Sequence, residues 1–139
     1  MSVFRDISAA LDGNLNTAAT GTAFAVAWEN SDYTPAANAL YMRPTLMPAT
    51  TQQAGLGASG LDQHLGVYQV DIVVPSSTNK AAAIAQADLI SDQFKRGTVL
   101  TYGGVSLRLS KTSRGTGRVD GAWFSIPVSV TYQSFTNPR

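Results

Sequence analysis

The chain has 139 residues, no cysteine and a formal net charge of +1, and only 14% of its residues are charged. This length supports one domain with one core, and the lack of cysteine excludes disulfides and thiolate metal sites. The charged fraction is well below the roughly 25% of ordinary soluble domains, which suits a subunit that buries surface against copies of itself or partners. A net charge this small argues against a general nucleic-acid binder.

Charge is unevenly divided along the chain. Residues 1–66 hold two bases and five acids, whereas residues 67–139 hold eight bases and four acids. A molecule with two oppositely charged parts can associate head to tail with itself. The N-terminus predicts no signal peptide, and no stretch is long and apolar enough to span a membrane. We therefore expect a protein of the reducing cytoplasm that needs no export.

The N-terminal segment predicts a short amphipathic helix, because large apolar residues recur at every fourth position. These positions are Val3, Ile7, Leu11 and Leu15. The next segment, TAFAVAWEN, alternates large residues with alanine and predicts a strand. Its large residues are Phe24, Val26 and Trp28.

A second strand is predicted at ALYMRPTLMP, where Pro44 indicates a sheet edge or a position turned away from the neighbouring strand. Residues 49–66 then show neither a helical nor a strand period, and they predict a long flexible loop. VYQVDIVVP follows as a clean strand that places alternate large residues on one face. Those residues are Tyr68, Val70, Ile72 and Val74.

The second helix is predicted within residues 76–97, with Thr78 or Asn79 as its cap and Gly97 as its C-terminal stop. Its buried stripe is predicted as Ile84, Ala87, Ile90 and Phe94, with Lys95 and Arg96 in the last turn. Gly103 and Gly104 then predict a hairpin turn between two short strands.

TSRGTGRVDG predicts a mobile basic loop, and a long strand follows it. That last strand alternates large apolar residues with Ser, Thr and Gln, and Pro127 within it indicates an edge or a bulge. The order of the elements predicts an α+β fold in a single domain of residues 1–139, with about two helices packed on a mixed, mainly antiparallel sheet.

GLGASG, residues 55–60, has the G-x-G-x-x-G spacing of a dinucleotide-binding loop. That chemistry requires a helix that begins at the last glycine and holds the pyrophosphate, whereas LDQHLGVYQVDIVV leads into a strand. Mobile loop glycines explain the match better. His64 is the only histidine and has only Asp62 nearby, so a zinc site and a catalytic triad are both unsupported. A surface position is the expectation for His64.

Two further charged patterns have structural readings. Asp88 and Asp92 lie one helical turn apart, and the bases that follow them predict a solvated ion-pair face rather than acid–base chemistry. Between residues 108 and 118 there are four bases and no acid. Such a glycine-containing basic segment can touch phosphates or an acidic protein surface, and the lack of aromatic residues favours a protein partner. No catalytic constellation remains, so we expect a non-enzymatic assembly or adaptor subunit without a cofactor or a metal.

The ordered segments AWEN, YMRPTLMPA, YQVDIVVP and IPVSVTY together resemble the tail terminator-like proteins of long-tailed bacteriophages, related in fold to the terminator of phage lambda. The resemblance covers nearly the whole chain. It implies a mixed sheet flanked by helices and a homo-oligomeric, hexameric ring. Such a ring caps the tail tube, ends its growth and presents a surface for head joining.

The implied partners are the chain itself, the tail tube protein and the head-completion proteins, with DNA only as cargo through the pore and no membrane. The implied location is the head-proximal end of the virion tail, with assembly in the host cytoplasm. A head–tail connector or minor tail subunit of similar fold is the alternative. Residues 49–66 and 111–120 are predicted interface loops that become ordered on docking. The candidate contact residues are Gln52, Gln53, Leu56, His64, Lys111, Arg114 and Arg118.

Overall fold

The computed structural model describes residues 3–29, 34–35, 39–53, 61–76 and 80–136. Two helices and seven strands are present in this part of the chain. In chain order they are α1 (Val3–Ala19), β1 (Ala25–Val26), β2 (Tyr41–Gln53), β3 (Asp62–Pro75), α2 (Lys80–Gln93), β4 (Val99–Tyr102), β5 (Val105–Arg114), β6 (Arg118–Asp120) and β7 (Trp123–Thr136). None of the described helices is long and apolar enough to cross a membrane.

The strands form one mixed sheet in the order β1-β2-β3-β7-β5-β4, and β6 pairs with the start of β7. Only the β1–β2 pair is parallel, and the other pairs are antiparallel. Both helices pack on the same face of this sheet and share its main core. The predicted α+β fold is therefore confirmed.

Alternate residues of the central strands build the core, as their period-2 pattern predicts. Tyr68, Val70 and Ile72 of β3 are fully buried, and so are Val128 and Val130 of β7. The predicted stripe of α1 is also buried, with each of its four residues at most 1% exposed. Sheet and helix patterns thus meet in one apolar layer.

Helix α1 runs past Gly13 to Ala19, although glycine and asparagine are poor helix formers. Asn14 explains the extension, because its amide donates to the Gln93 carbonyl at 3.0 Å and its oxygen accepts from the Gln93 amide at 2.7 Å. This pair joins the middle of α1 to the end of α2. A polar residue that weakens an isolated helix here stabilises a helix–helix contact.

The predicted face of α2 is partly wrong. Ile84 is 40% exposed, and Ala83 and Gln86 face the sheet instead. Gln86 is buried and donates to the Met42 sulfur at 3.4 Å. Small and polar side chains at the contact allow the helix to lie close to the sheet, which apolar periodicity alone does not reveal.

The predicted long loop at 49–66 is mostly strand, and that prediction is wrong for the described residues. β2 and β3 form one long hairpin that remains paired from Tyr41↔Val73 out to Gln53↔Asp62. A register shift between Pro48 and Thr50 breaks the period of two, and the outer half of β2 is exposed. Both features erase the alternation by which a half-buried strand is recognised.

The two strand prolines have different settings. Pro44 lies on the side of β2 that faces away from β3, beyond the short β1, so the edge prediction is confirmed. Pro127 lies in the central strand β7, and the prediction of an edge or bulge is wrong there. Its carbonyl accepts from Gly115, where pairing passes from β5 to β6, so the side that lacks an N–H faces a connection rather than a ladder.

Candidate assembly surfaces

A buried histidine near the tip of the β2–β3 hairpin stabilises it. His64 is 2% exposed, so the expected surface position is wrong. Its Nδ1 lies 3.0 Å from the Thr51 hydroxyl, and its Nε2 lies 2.8 Å from the Thr136 hydroxyl. The ring of Phe4 meets the imidazole edge-on at 5.6 Å. The imidazole therefore ties together β2, β3, β7 and α1.

A row of glutamine side chains crosses the opposite face of the sheet near the same tip. Gln52 donates to Gln63 at 2.9 Å, and Gln63 donates to Gln133 at 3.4 Å. Gln52 and Gln53 are exposed, as candidate contact residues require. Leu56 lies outside the described residues. The row leaves an uncharged, hydrogen-bonding surface on the face that carries no helix.

The predicted basic loop is mostly strand, and its bases do not share one face. β5 continues to Arg114 and β6 begins at Arg118, so the connection between these strands is short. Lys111 pairs with Thr131 and Arg118 with Ser125, which places both on the helix-free face. Arg114 lies on the helix face, where it forms a 2.6 Å ion pair with Asp88 of α2. The expectation of a single mobile basic loop is therefore wrong.

A partly buried carboxylate on the helix face contacts the central strand β3. Asp12 of α1 accepts from the Tyr68 hydroxyl at 2.5 Å and from Ser8 at 3.4 Å. Burial raises the pKa of Asp12, against the lowering effect of these hydrogen bonds. Burial and the adjacent carboxylate also raise the pKa of Tyr68. The hydrogen bond between Tyr68 and Asp12 fixes α1 over β3. Sequence periodicity predicted the helix and the strand that hold these residues, but it did not predict their contact.

A second buried tyrosine lacks such a contact. Tyr132 of β7 is fully buried, and its hydroxyl has no hydrogen-bond partner among the described residues. Its ring lies against Gly66, where an added Cβ would come within 2.6 Å of the ring carbon Cζ. Gly66 is thus a close-approach position that makes room for the ring.

The described residues offer little catalytic chemistry. They contain no group of three or more histidine, aspartate or glutamate side chains that could hold a metal. β2 ends two residues before Gly55, and β3 starts at Asp62, so GLGASG joins two antiparallel strands. β3 begins at Asp62, five residues before the strand predicted from Val67. The helix that a dinucleotide site needs is replaced by that strand.

Comparisons with known proteins agree with this architecture. The family model described as "Phage tail terminator protein" matches residues 6–132. A solved protein structure without a functional name is 30% identical, with a TM-score of 0.76 over 96% of each chain. A chain from the virion of a native gene transfer agent particle is 19% identical, with a TM-score of 0.58, and the match covers 99% of this chain and 98% of that one. The search of curated proteins gave no match.

At 19% identity, the likeness to the virion chain shows only a shared fold. The assignment to a family rests on the family model. The matched region begins inside α1, includes α2 and strands β1 to β6 in full, and ends inside β7. The chain belongs to the phage tail terminator family and is a structural protein of a phage-type tail.

Proposed function

We propose that this protein caps the tail tube as a homo-oligomeric ring, ends tail growth and offers the surface to which head-completion proteins bind. The observation that carries this proposal is the terminator family match over residues 6–132. The structural neighbour from a gene transfer agent virion supports a place in a phage-like particle. A hexamer is the oligomer we propose, with DNA passing through the pore as cargo and assembly in the host cytoplasm.

The distribution of side chains supports a scaffolding role. Apolar burial is concentrated between the helices and the sheet, so the core requires no partner for its completion. The helix-free face and the hairpin tip retain uncharged hydrogen-bonding groups such as Gln52 and Gln53. Interfaces of this polar kind suit contacts that form after each subunit has folded.

We assign the contact residues to two regions. Gln52 and Gln53 of the hairpin tip, together with Leu56, are proposed to meet the tail tube or a neighbouring subunit. Lys111 and Arg118 on the helix-free face are proposed to meet an acidic partner surface. His64 supports the tip from inside, and Arg114 is held by Asp88, so neither is proposed as a direct contact.

The decisive experiment is removal of the gene followed by electron microscopy of the tails. Loss of a terminator produces tails longer than the wild-type length, and complementation with the wild-type chain restores that length. Tails of normal length that fail to join heads would assign the protein to the connector class. Normal, head-joined tails without the chain would contradict the proposed function altogether.

The hairpin tip can be tested in the same assay. Deletion of residues 54–60 leaves only Leu61 between Gln53 and Asp62, so the outermost pair of the hairpin should open, while the pairs from Tyr41↔Val73 to Thr51↔His64 should keep the protein folded. We expect this variant to lose tail capping while it keeps the wild-type far-UV spectrum and melting temperature. Normal-length, head-competent tails would contradict a role for this segment.

A further inference from the structure

The outer side of β2 is closed to backbone pairing over several residues. The Met42 carbonyl accepts from Ala27, which shows that even-numbered residues here face away from β3. Pro44 and Pro48 have no N–H to offer on that side, and the Leu46 N–H donates to the Glu29 carboxylate at 2.7 Å. A second strand therefore cannot add to this stretch, which is how edges resist uncontrolled sheet extension.

The other outer strand, β4, has no such protection within residues 95–102. Leu109 of β5 bonds with Gly97 and Thr98, so the backbone groups of Leu100 and Tyr102 point to β5, while those of Val99 and Thr101 point away from the sheet. Val99 is 61% exposed and Tyr102 is 52% exposed. Val99 pairs with Arg108 and Tyr102 with the buried Val105, so their side chains lie on opposite faces of β4, and each face of this edge has one exposed apolar side chain.

The two sides of the sheet carry opposite charge. Residues 95–114 contain five bases and no acid. Arg114 pairs with Asp88, and within the described residues the other four bases make no ion pair. Those four are Lys95, Arg96, Arg108 and Lys111. Among the described residues, the β1–β2–β3 side instead holds one base, Arg43, and three acids, Glu29, Asp62 and Asp71.

We propose that the β4 edge, residues 95–102, binds the β2 side of a second copy of this chain, head to tail. This inference rests on the proposed ring and names the surfaces that close it. Opposite edges of one sheet form a heterologous contact, and repetition of such a contact closes a ring when the rotation per subunit allows it. Lys95 and Arg96 meet the acidic side that includes Glu29, while Val99 and Tyr102 supply apolar area.

The closed edge of β2 gives this contact its specificity. Two unprotected edges could pair their backbones in several registers and extend without limit. With Pro44 and Pro48 on one side, side chains rather than a continuous ladder must determine the fit. Val99 and Met47 both point to the helix-free face, and Met47 is 40% exposed, so they can approach each other across the contact.

The absence of cysteine permits a clean cross-linking test. We would prepare Val99→Cys and Met47→Cys as single variants and oxidise each alone and as a mixture. The mixture should form disulfide-linked dimers, each variant alone should stay largely uncross-linked, and the double variant should form a ladder. Ala85→Cys, exposed on α2, is the matched control and should not cross-link with either.

Charge reversal gives a second readout in the same chain. Lys95→Glu with Arg96→Glu should weaken self-association about tenfold or more at low salt, because like charges then face each other. Adding Glu29→Lys to that variant should restore much of the loss. Lys80→Glu reverses an exposed base at the start of α2 and should leave self-association unchanged. Sedimentation velocity over a concentration series measures each effect.

Several outcomes would overturn the inference. Cross-linking of Val99→Cys with itself would show that two β4 edges meet in a symmetric contact. Unchanged self-association in the charge-reversed variant would contradict it. So would a chain that stays monomeric and uncross-linked at all concentrations. A charge-reversed variant that loses only the binding of duplex DNA would contradict it as well. If the chain nevertheless restores normal tail length to the deletion phage, the proposed function stands and only the assignment of the edges fails. If deletion leaves tail length unaffected while the edges cross-link, the function fails and the contact stands.

Discussion

The two faces of the sheet differ in how deeply their side chains are buried. The helix-covered face buries large side chains from every central strand, and most of them are fully inaccessible. The helix-free face has one small cluster at the Tyr41 end, where Trp123 meets Tyr41 edge-on at 5.5 Å. Elsewhere its side chains are half-exposed or exposed, and many of them are threonine, serine and glutamine. Stability is therefore concentrated on one face, and the other face is free to contact partners without weakening the fold.

The largest expected effect on stability comes from comparing two leucines, one on each face of the sheet. Leu109 of β5 is fully buried on the helix face, and Leu65 of β3 is half-buried on the helix-free face. Leu109→Ala should lower the free energy of unfolding by about 2–5 kcal/mol, because it removes apolar contacts and leaves a cavity. Leu65→Ala should cost less than about 1 kcal/mol, because its side chain is already partly hydrated.

Chemical denaturation at low protein concentration measures both variants as monomers. Equal losses from the two substitutions would contradict the division of the sheet into a stabilising and a contact face. A small loss in stability for Leu65→Ala together with a large loss in tail capping would strengthen it.

A second prediction compares the two fully buried tyrosines of the helix face. Tyr68→Phe removes the bond to Asp12 and leaves a partly buried carboxylate with one donor fewer, so we expect a loss of about 1–3 kcal/mol. Tyr132→Phe removes a buried hydroxyl that has no partner among the described residues, so we expect a gain of about 1 kcal/mol. Thermal and chemical unfolding of the two variants should shift in opposite directions. A loss of similar size in Tyr132→Phe would mean that its hydroxyl is satisfied in solution.

The elements were more predictable from the sequence than their contacts. Period and turn chemistry identified both helices, the Gly103–Gly104 hairpin and the core strands, since each depends on neighbours along the chain. The outer half of β2 escaped because a bulge and full exposure remove its alternation. His64 was misplaced for a different reason. A histidine buried between two threonines depends on residues 13 and 72 positions away, and no local pattern encodes that pairing.

The candidate site was predicted least well. The sequence indicated charge asymmetry between its two halves, and the sheet order turns that asymmetry into two opposite sides of one surface. Which bases remain available is a matter of three-dimensional packing. Arg114 is held by Asp88 of α2, whereas Lys111, three residues earlier in β5, points to the other face. A register shift between Leu109 and Lys111 changes the alternation just before this segment.

A smaller effect is expected in the pH dependence of stability. Burial raises the pKa of Asp12 in the folded state above its ordinary value of 3.8. The folded state therefore holds this proton more tightly, and the contribution of Asp12 is most favourable below about pH 3.8 and is lost as the pH rises through the folded pKa. Asp12→Asn removes that titration while its side-chain oxygen still accepts from Tyr68. The stability of the wild type relative to this variant should fall over that pH range, and parallel pH profiles would contradict the cause.

The smallest predicted effect on stability concerns the two bases at the end of β5. Arg114→Ala breaks an exposed ion pair with Asp88 and should cost at most about 1 kcal/mol, because water and salt screen such pairs. Lys111→Ala should leave the free energy of unfolding unchanged within about 0.5 kcal/mol, because within the described residues it has no acidic partner.

The two substitutions should have the opposite ranking in assembly, where Lys111→Ala should have the larger effect, since Lys111 lies on the contact face and Arg114 does not. A salt titration of binding to tail tubes separates them: Lys111→Ala should reduce the salt dependence, and Arg114→Ala should leave it as in the wild type. The opposite ranking would move the contact face to the helix side of the sheet.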